Sequence, residues 1–192
     1  MTRSARIACA GALLLLLIGS VASATGNRGG GSAQLAAQLA DARFATAEYA
    51  TDLAAAKAAG YSLQITPNMP NMGFHFLNPS IGAEFDVTKP PILVYVKRGS
   101  DWQLGALEWV FTERPDKPPL KGARYGSFPA ACHYADGSFV PAAAEADCAA
   151  TNGGATFTFW HPRLVTLHVW LWYPNPDGLY ASTNPLVAPL TG

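Results

Sequence analysis

The sequence predicts an α+β fold, in which a long N-terminal helix packs on a mainly antiparallel, curled β-sheet or partial barrel. One observation is an alanine-rich stretch with helical periodicity, followed by several short stretches rich in β-branched and aromatic residues. The other is that no helical pattern separates these later stretches, so consecutive strands should pair antiparallel. Because no segment repeats and no second boundary is visible, residues 33–192 are predicted to form one α+β domain.

The chain begins with the pattern of a Sec-type secretory signal peptide. Two arginines precede an apolar run, and Ala-Ser-Ala follows it at residues 22–24. The run is shorter than the roughly 20 apolar residues of a membrane span. We therefore expect residues 1–24 to be a signal peptide cleaved after Ala24, and residues 25–32 to be a flexible linker. The mature protein is then secreted or extracytoplasmic, with no membrane attachment.

Charge and composition limit the partners that we expect. Loss of Arg3 and Arg6 with the signal peptide leaves 11 of the 13 basic residues, against 13 acidic ones. A nearly neutral surface has no electrostatic footprint for nucleic acid, so no nucleic-acid partner is expected. The expected partner is an unknown small ligand. High aromatic content and low charge suit a β-rich domain with a substantial core.

Two cysteines of the mature chain are predicted to form a disulfide. Cys9 lies in the signal peptide, so Cys132 and Cys148 remain, and export would place them where disulfides persist. The alternative, a pair of thiolate metal ligands, lacks a C-x-x-C motif. We interpret the bridge as a structural staple.

The predicted helix covers residues 33–60, between a capping Ser32 and a terminating Gly60. Residues at three- and four-residue steps form one largely apolar stripe, which favours a scaffold helix lying on a sheet. The members of this stripe are Leu35, Leu39, Ala42, Thr46, Tyr49, Leu53 and Ala56.

Strands are predicted where short apolar and aromatic runs are bounded by Gly, Pro, Asn and Asp. Residues 98–100 should form a hairpin turn, and residues 113–127 a long proline-rich loop of a length that is often functional. The predicted strands are residues 73–78, 91–97, 101–112, 155–161 and 163–173.

Alternation along three of these strands places one ionisable side chain near each centre, on the face opposite an apolar set. The three side chains are His75, Glu108 and His168. The opposite, core-facing set is Phe74, Phe76, Leu107, Trp109, Phe111, Leu167, Val169 and Leu171.

Two imidazoles and one carboxylate from separate strands predict a facial site for one divalent transition metal, with Zn, Cu or Fe as candidates. Open positions on such a metal would admit water or substrate. The same trio could perform metal-free acid–base chemistry, with Glu108 tuning a histidine. The structural alternative is a buried Glu–His pair or polar network without a ligand, in an extracytoplasmic scaffold.

A second hypothesis uses the aromatic residues beside His168. Thr166, Trp170 and Trp172 share its predicted face and could line a site for a small apolar or carbohydrate ligand, since aromatic faces stack well. The protein would then be a non-catalytic binding module. Packing of these tryptophans against the helix is the competing interpretation.

Four further side chains are given structural interpretations. His161 precedes Pro162 and His133 follows Cys132, so both are expected at the surface or in turns. Met69 and Met72 near His75 could be thioether ligands for copper. Gap-filling methionines in a turn are the alternative that we favour.

Several motifs together resemble a family of uncharacterised secreted bacterial proteins. They are AAAKAAGY, MGFHFLNP, GALEWV, a proline-rich loop and TLHVWLWYPNPDGLYASTNP, which span residues 54–185. The resemblance implies that the two histidines and the glutamate belong to the family pattern, but it implies no activity. By resemblance, the marked positions are His75, Asn78, Pro79, Glu108, His168, Trp170, Asn175, Pro176, Gly178, Asn184 and Pro185.

The chain departs from this pattern at two places. Family members often carry a cysteine before the Met-Gly-x-His segment and another near the C-terminus, where this chain has Asn68 and Pro189. A nucleophile elbow, a phosphate-binding loop and a dinucleotide fingerprint are also missing, which argues against hydrolase or nucleotide chemistry of those kinds. Whether the protein is an enzyme stays open from the sequence.

Overall fold

A computed structural model describes residues 30–190, which form a mixed structure of short helices and two antiparallel sheets. Helix α1 covers Gly30–Ala45 and α2 covers Leu53–Ala58, and 3-10 turns cover Ala47–Tyr49, Glu145–Asp147 and Pro185–Val187. The predicted signal peptide lies outside the described residues. The strands are β1 (Leu63–Gln64), β2 (Phe74–Leu77), β3 (Ile92–Arg98), β4 (Asp101–Phe111), β5 (Gly126–Phe128), β6 (Ala131–Tyr134), β7 (Phe139–Pro141), β8 (Thr151–Asn152), β9 (Ala155–His161) and β10 (Leu164–Val169).

The strands form two sheets rather than the single curled sheet or partial barrel that was expected. The larger sheet has the order β1-β2-β3-β4-β10-β5, and the smaller has the order β7-β6-β9-β8. Every strand pair within residues 30–190 is antiparallel, which confirms the predicted pairing. The smaller sheet is an excursion of the chain between β5 and β10, and neither sheet closes into a barrel.

The single long helix predicted over residues 33–60 is instead two helices joined by a 3-10 turn. The Thr46 hydroxyl donates to the carbonyl oxygen of Ala42 at 2.8 Å, and Asp52 caps α2 by accepting from the Ala55 backbone N–H at 2.9 Å. Short polar side chains that bond to the nearby backbone favour helix ends over helix interiors. The predicted stripe still faces the core, because Ala42, Thr46 and the α2 residues Leu53 and Ala56 are buried.

The two faces of the larger sheet bury different side chains. Against the helices lie Leu107, Trp109, Leu167 and Val169, as strand alternation predicted. On the other face, Ile92 of β3 lies opposite Glu108 of β4, and Glu108 lies opposite His168 of β10. Directly opposed residues of an antiparallel pair share a face. The ionisable side chains therefore lie on the face turned away from the helices.

Two strand predictions differ from the structure. The last predicted strand ends at Val169 rather than at residue 173, because the backbone N–H of Trp170 donates to Leu179 instead of to a neighbouring strand. The predicted loop at residues 113–127 overlaps β5, which pairs with β10. The predicted hairpin is confirmed, since Gly99 and Ser100 join β3 to β4.

The predicted disulfide is confirmed. Cys132 of β6 is bonded to Cys148, with a Cα–Cα distance of 5.6 Å. It joins the smaller sheet to the segment that leads into β8. None of the helices within residues 30–190 is long and apolar enough to cross a membrane.

Candidate metal-binding site

Three strands of the larger sheet bring together the predicted trio. Glu108 of β4 is directly opposite His168 of β10, while His75 of β2 is opposite Val94 of the intervening strand β3. Since Val94 is in turn opposite Ala106 in β4, His75 shares the face of the other two. On this face, the aliphatic side chains of β3 therefore lie between His75 and the other two residues of the trio.

The ligand atoms of the trio are close enough to hold a metal ion. One nitrogen from each histidine and one carboxylate oxygen all lie within 4.8 Å of one another. His75 Nε2 is 3.5 Å from Glu108 Oε2, and the two imidazole centroids are 5.7 Å apart. Metal–ligand bonds of about 2.1 Å would place ligand atoms roughly 3–3.5 Å apart, so small side-chain rotations suffice.

All three side chains are buried, but they differ in whether they have hydrogen-bond partners. His75, Glu108 and His168 are 4%, 7% and 5% exposed. His75 Nδ1 lies 2.9 Å from Thr66 Oγ1, a contact that leaves Nε2 pointing to Glu108. Both ring nitrogens of His168 are buried with no hydrogen-bond partner among the described residues.

Burial makes the uncharged form of each group the favoured one. It raises the pKa of Glu108 to about 8, and it lowers the pKa of His75 to about 4. Burial, together with the neighbouring His75, lowers the pKa of His168 to about 3. Near pH 7 the trio therefore has two neutral imidazoles, which are the metal-binding form of histidine, and a carboxyl that a cation would ionise.

The trio opens onto a cavity of about 330 Å³ between the two sheets. This volume lies in the range of small-molecule sites. Met69 and Met72, in the turn that precedes β2, also line it. The walls are mainly apolar, with contributions from Ile65, Leu77, Ile92, Val110, Phe128 and Phe159.

The predicted ligand-lining residues are separated in the structure. Thr166 lines the cavity beside His168, but neither Trp170 nor Trp172 does. Trp170 is buried, with its indole N–H donating to Ala181. Trp172 lies on the helix side, where its indole N–H donates to Thr46 Oγ1 and Arg43 covers its ring. Trp170 keeps its predicted place beside His168, with ring centroids 5.2 Å apart, whereas Trp172 does not, because β10 ends at Val169 and the alternation stops there.

Two histidines that were expected at the surface also line this cavity. His133 of β6 is buried and stacks on Phe159, and His161 ends β9 with its Nε2 3.0 Å from His133 Nε2. The expectation for His133 is wrong because β6 was not recognised as a strand. Alternation within the predicted strand 155–161 already placed His161 on the face of Phe157 and Phe159, and this signal could have been used.

Comparison of the chain with protein-family models, with curated proteins and with solved structures found no match. The case for function therefore depends on the geometry of the cavity and on the histidine and glutamate side chains that line it.

Proposed function

We propose that His75, Glu108 and His168 bind one divalent transition metal ion, with Zn, Cu and Fe as the candidates. The ion would keep at least one coordination position open to the cavity. The observation that carries the proposal is the buried His168 ring, both of whose nitrogens lack a hydrogen-bond partner within residues 30–190. A buried polar group left without a hydrogen bond costs about 1–3 kcal/mol, and a metal–nitrogen bond would remove this cost for one of the two nitrogens.

A purely structural Glu–His pair explains less of this arrangement. Such a pair would satisfy Glu108 and His75, which lie 3.5 Å apart. It would leave His168 buried beside them without a role, although leucine or methionine could fill the same space at no electrostatic cost. A third polar group that completes a ligand set is the expected feature of a metal site.

Thr66 supports metal binding by His75. Its Oγ1 lies 2.9 Å from Nδ1 and also accepts the His75 backbone N–H at 3.2 Å. When Thr66 Oγ1 accepts a hydrogen bond from Nδ1–H, the lone pair of Nε2 is left for a metal. A hydrogen bond to the second imidazole nitrogen is the usual way in which proteins orient a ligating histidine.

The chemical class of the bound molecule follows from the walls of the cavity. We expect a small, mainly apolar molecule with one oxygen or nitrogen atom that can bind a metal. Its apolar part would pack against the aliphatic and aromatic side chains. Its donor atom would reach the open metal position. Whether a reaction follows depends on the metal: two histidines and a carboxylate serve as ligands in both hydrolytic zinc sites and non-haem iron sites.

A second candidate function is metal-free binding of a small apolar ligand, which the mainly apolar cavity walls favour. Stacking of a carbohydrate on Trp170 and Trp172 has less support, because the two indoles lie on opposite sides of the larger sheet.

We also propose that the protein works in an extracytoplasmic compartment. The disulfide between Cys132 and Cys148 supports this location, since such bonds persist where the environment is oxidising. N-terminal sequencing of the exported protein should begin at Thr25. An N-terminus at Met1 in exported material would refute the predicted cleavage.

Metal analysis of the purified protein tests the main proposal. We expect His75→Ala, Glu108→Gln and His168→Ala each to lose one equivalent of bound metal relative to the unaltered protein. Glu84→Gln, which removes an exposed carboxylate that does not line the cavity, should lose none. Circular dichroism checks that each variant is folded. Equal metal content in folded trio variants and in the control would refute the proposal.

A further inference from the structure

His133 and His161 form a second pair of imidazoles where the chain passes from the smaller sheet to the larger one. His133 is opposite Phe159 in the β6–β9 pairing, and His161 is opposite Ala131, so the two histidines are diagonal neighbours on one face. Aromatic rings surround them: His133 stacks on Phe159 at a centroid distance of 4.6 Å, and Phe128 lies 5.6 Å from His161.

Hydrogen bonds to carbonyl groups fix the tautomer of each ring. His133 Nδ1 lies 2.8 Å from the Ile65 carbonyl oxygen, and His161 Nδ1 lies 2.6 Å from that of Pro162. A carbonyl oxygen only accepts, so both Nδ1 atoms must carry a hydrogen. A neutral imidazole has one N–H, and therefore both Nε2 atoms carry a lone pair.

The two Nε2 atoms are nevertheless only 3.0 Å apart. Two lone pairs at this distance repel each other and form no hydrogen bond. A positive group shared by both nitrogens, either a proton or a metal ion, would turn this contact into an attractive one. Both rings line the cavity, so a metal ion between them could complete its coordination with a bound molecule, which a shared proton could not do.

We propose that His133 and His161 bind a second divalent transition metal ion through their Nε2 atoms. Bonds of about 2.0 Å to nitrogens 3.0 Å apart subtend roughly 95° at the metal. Neighbouring positions of a tetragonal Cu(II) or Ni(II) ion have this angle. An Nδ1–H that donates to a backbone carbonyl is also the usual orienting contact of a ligating histidine.

The inference is independent of the first site, although the two sites share a cavity. Both histidines line the cavity that also contains the trio. Adjacent residues position one imidazole of each site: the Ile65 carbonyl contacts His133, and the Thr66 hydroxyl contacts His75. Coordination positions that the protein leaves free in the two sites would face the same bound molecule.

Titration of the metal-stripped protein with Cu(II), followed by calorimetry and electron paramagnetic resonance, tests the inference. His161→Gln is the variant of choice, because His161 is half-buried at a strand end and its loss should leave the fold intact. We expect two equivalents of Cu(II) for the unaltered protein, one for His161→Gln and one for His168→Leu. The double variant should bind none. In His168→Leu, the remaining copper should show coupling to two imidazole nitrogens.

The outcomes separate this pair from the first site. If His161→Gln retains both equivalents, the pair holds no metal and the inference is refuted, while the first site stands. A single equivalent that is lost in His161→Gln but kept in His168→Leu would support the pair and refute the first site.

Nitrogen-15 NMR of the unaltered protein gives the same answer without a substitution. We expect both Nε2 resonances of His133 and His161 to be unprotonated near pH 7 and to shift when Zn²⁺ is added. A proton on either Nε2, with no change on adding Zn²⁺, would show that the pair shares a proton instead and would refute the inference.

Discussion

At the scale of single residues, the three side chains of the trio differ in how their polar atoms are satisfied. His75 contacts Thr66 and Glu108, whereas His168 has no hydrogen-bond partner among the described residues. Both histidines are almost completely buried. The imidazole of His168 thus contributes little to folding that an aliphatic side chain could not supply, and the proposed metal ion would give it a role.

Replacing His168 with leucine should therefore separate stability from metal binding. In the presence of EDTA, we expect the free energy of unfolding of His168→Leu to equal that of the unaltered protein or to exceed it by about 1–3 kcal/mol. The reason is that the substitution removes a buried unsatisfied polar group. Urea unfolding measures this difference. His75→Leu is the matched control and should be destabilised, because it leaves Thr66 without its partner. A loss of several kcal/mol in His168→Leu would contradict this account.

In the metal-free protein, the buried histidines and Glu108 change stability with pH in opposite directions. Burial lowers the pKa of His75 from 6.5 to about 4, so unfolding takes up protons and stability rises with pH up to 6.5. Burial raises the pKa of Glu108 from 4.5 to about 8, so the unfolded chain binds fewer protons and stability falls with pH between these values. His168, His133 and His161 also have lowered pKa values and act in the same direction as His75, so the effect of Glu108 dominates only above about pH 7, where the unfolded imidazoles are mostly neutral.

We therefore expect the free energy of unfolding in EDTA to decrease between about pH 7 and 8, and Glu108→Gln to abolish this decrease. Urea unfolding at a series of pH values measures it. Glu84→Gln, at an exposed position, should preserve the decrease. An unchanged slope in Glu108→Gln would mean that the buried carboxyl is not protonated in the folded protein.

At the scale of secondary structure elements, strand β2 depends on the glycine that precedes it. Gly73 has a φ of 112°, and a Cβ atom there would lie 2.2 Å from the backbone oxygen of Tyr95 in β3. The absence of a side chain lets the turn after Met72 approach β3 closely. This approach sets the position of His75 two residues later.

Gly73→Ala should consequently be costly. We expect a loss of about 3 kcal/mol or more in the free energy of unfolding, because the methyl group clashes with backbone and the φ is unfavourable. Gly99→Ala is the matched control, since Gly99 also has a positive φ of 60° but open space around the added Cβ. It should lose only about 1 kcal/mol. Equal losses in the two variants, measured by urea unfolding, would show that the close approach to β3 is unimportant.

The length and residue pattern of each strand also explain which features could be predicted from the sequence. Alternation assigned Glu108 and His168, in the central strands β4 and β10, to the correct face, because burial on both sides of the sheet enforces a strict period of two. It also held for His75 in the four-residue strand β2, where Phe74 and Phe76 mark the opposite face. The strands β1, β5, β6, β7 and β8 have two to four residues each and no comparable alternation of apolar and polar side chains. Their positions depend on long-range pairing, which local sequence does not specify.

The same limit explains the errors at the ends of elements. The helical spacing of apolar residues continues from Thr46 to Asp52. In the structure, hydrogen bonds between these two side chains and the backbone accompany the interruption of the helix there. Similarly, the apolar alternation continues to residue 173, although β10 ends at Val169. His133 was missed for a further reason: its strand lies in the smaller sheet, whose existence depends on contacts between residues distant in the sequence.

At the scale of the whole molecule, the smaller sheet converts one face of the larger sheet into a cavity. The chain leaves β5, forms β6 to β9, and returns as β10 between β4 and β5. This excursion carries His133 and His161 to the cavity that the trio lines from the other sheet. The disulfide between Cys132 and Cys148 lies within the excursion, next to His133.

Removal of the disulfide should therefore weaken the smaller sheet. The bridge spans a sequence separation of 16 residues, for which restriction of the unfolded chain gives a stabilisation of about 3 kcal/mol. We expect the double substitution of Cys132 and Cys148 by alanine to lose about this much. Hydrogen exchange should increase mainly in β6 and β9. Uniform exchange across both sheets would contradict the idea that the bridge acts locally.

The central claim, a metal ion held by the trio, is tested most directly by anomalous X-ray diffraction at the absorption edge of the bound metal. The account predicts an anomalous peak about 2.0–2.2 Å from one nitrogen of His75, one nitrogen of His168 and a carboxylate oxygen of Glu108. Crystals of metal-loaded protein that show no anomalous peak between these three side chains would contradict it.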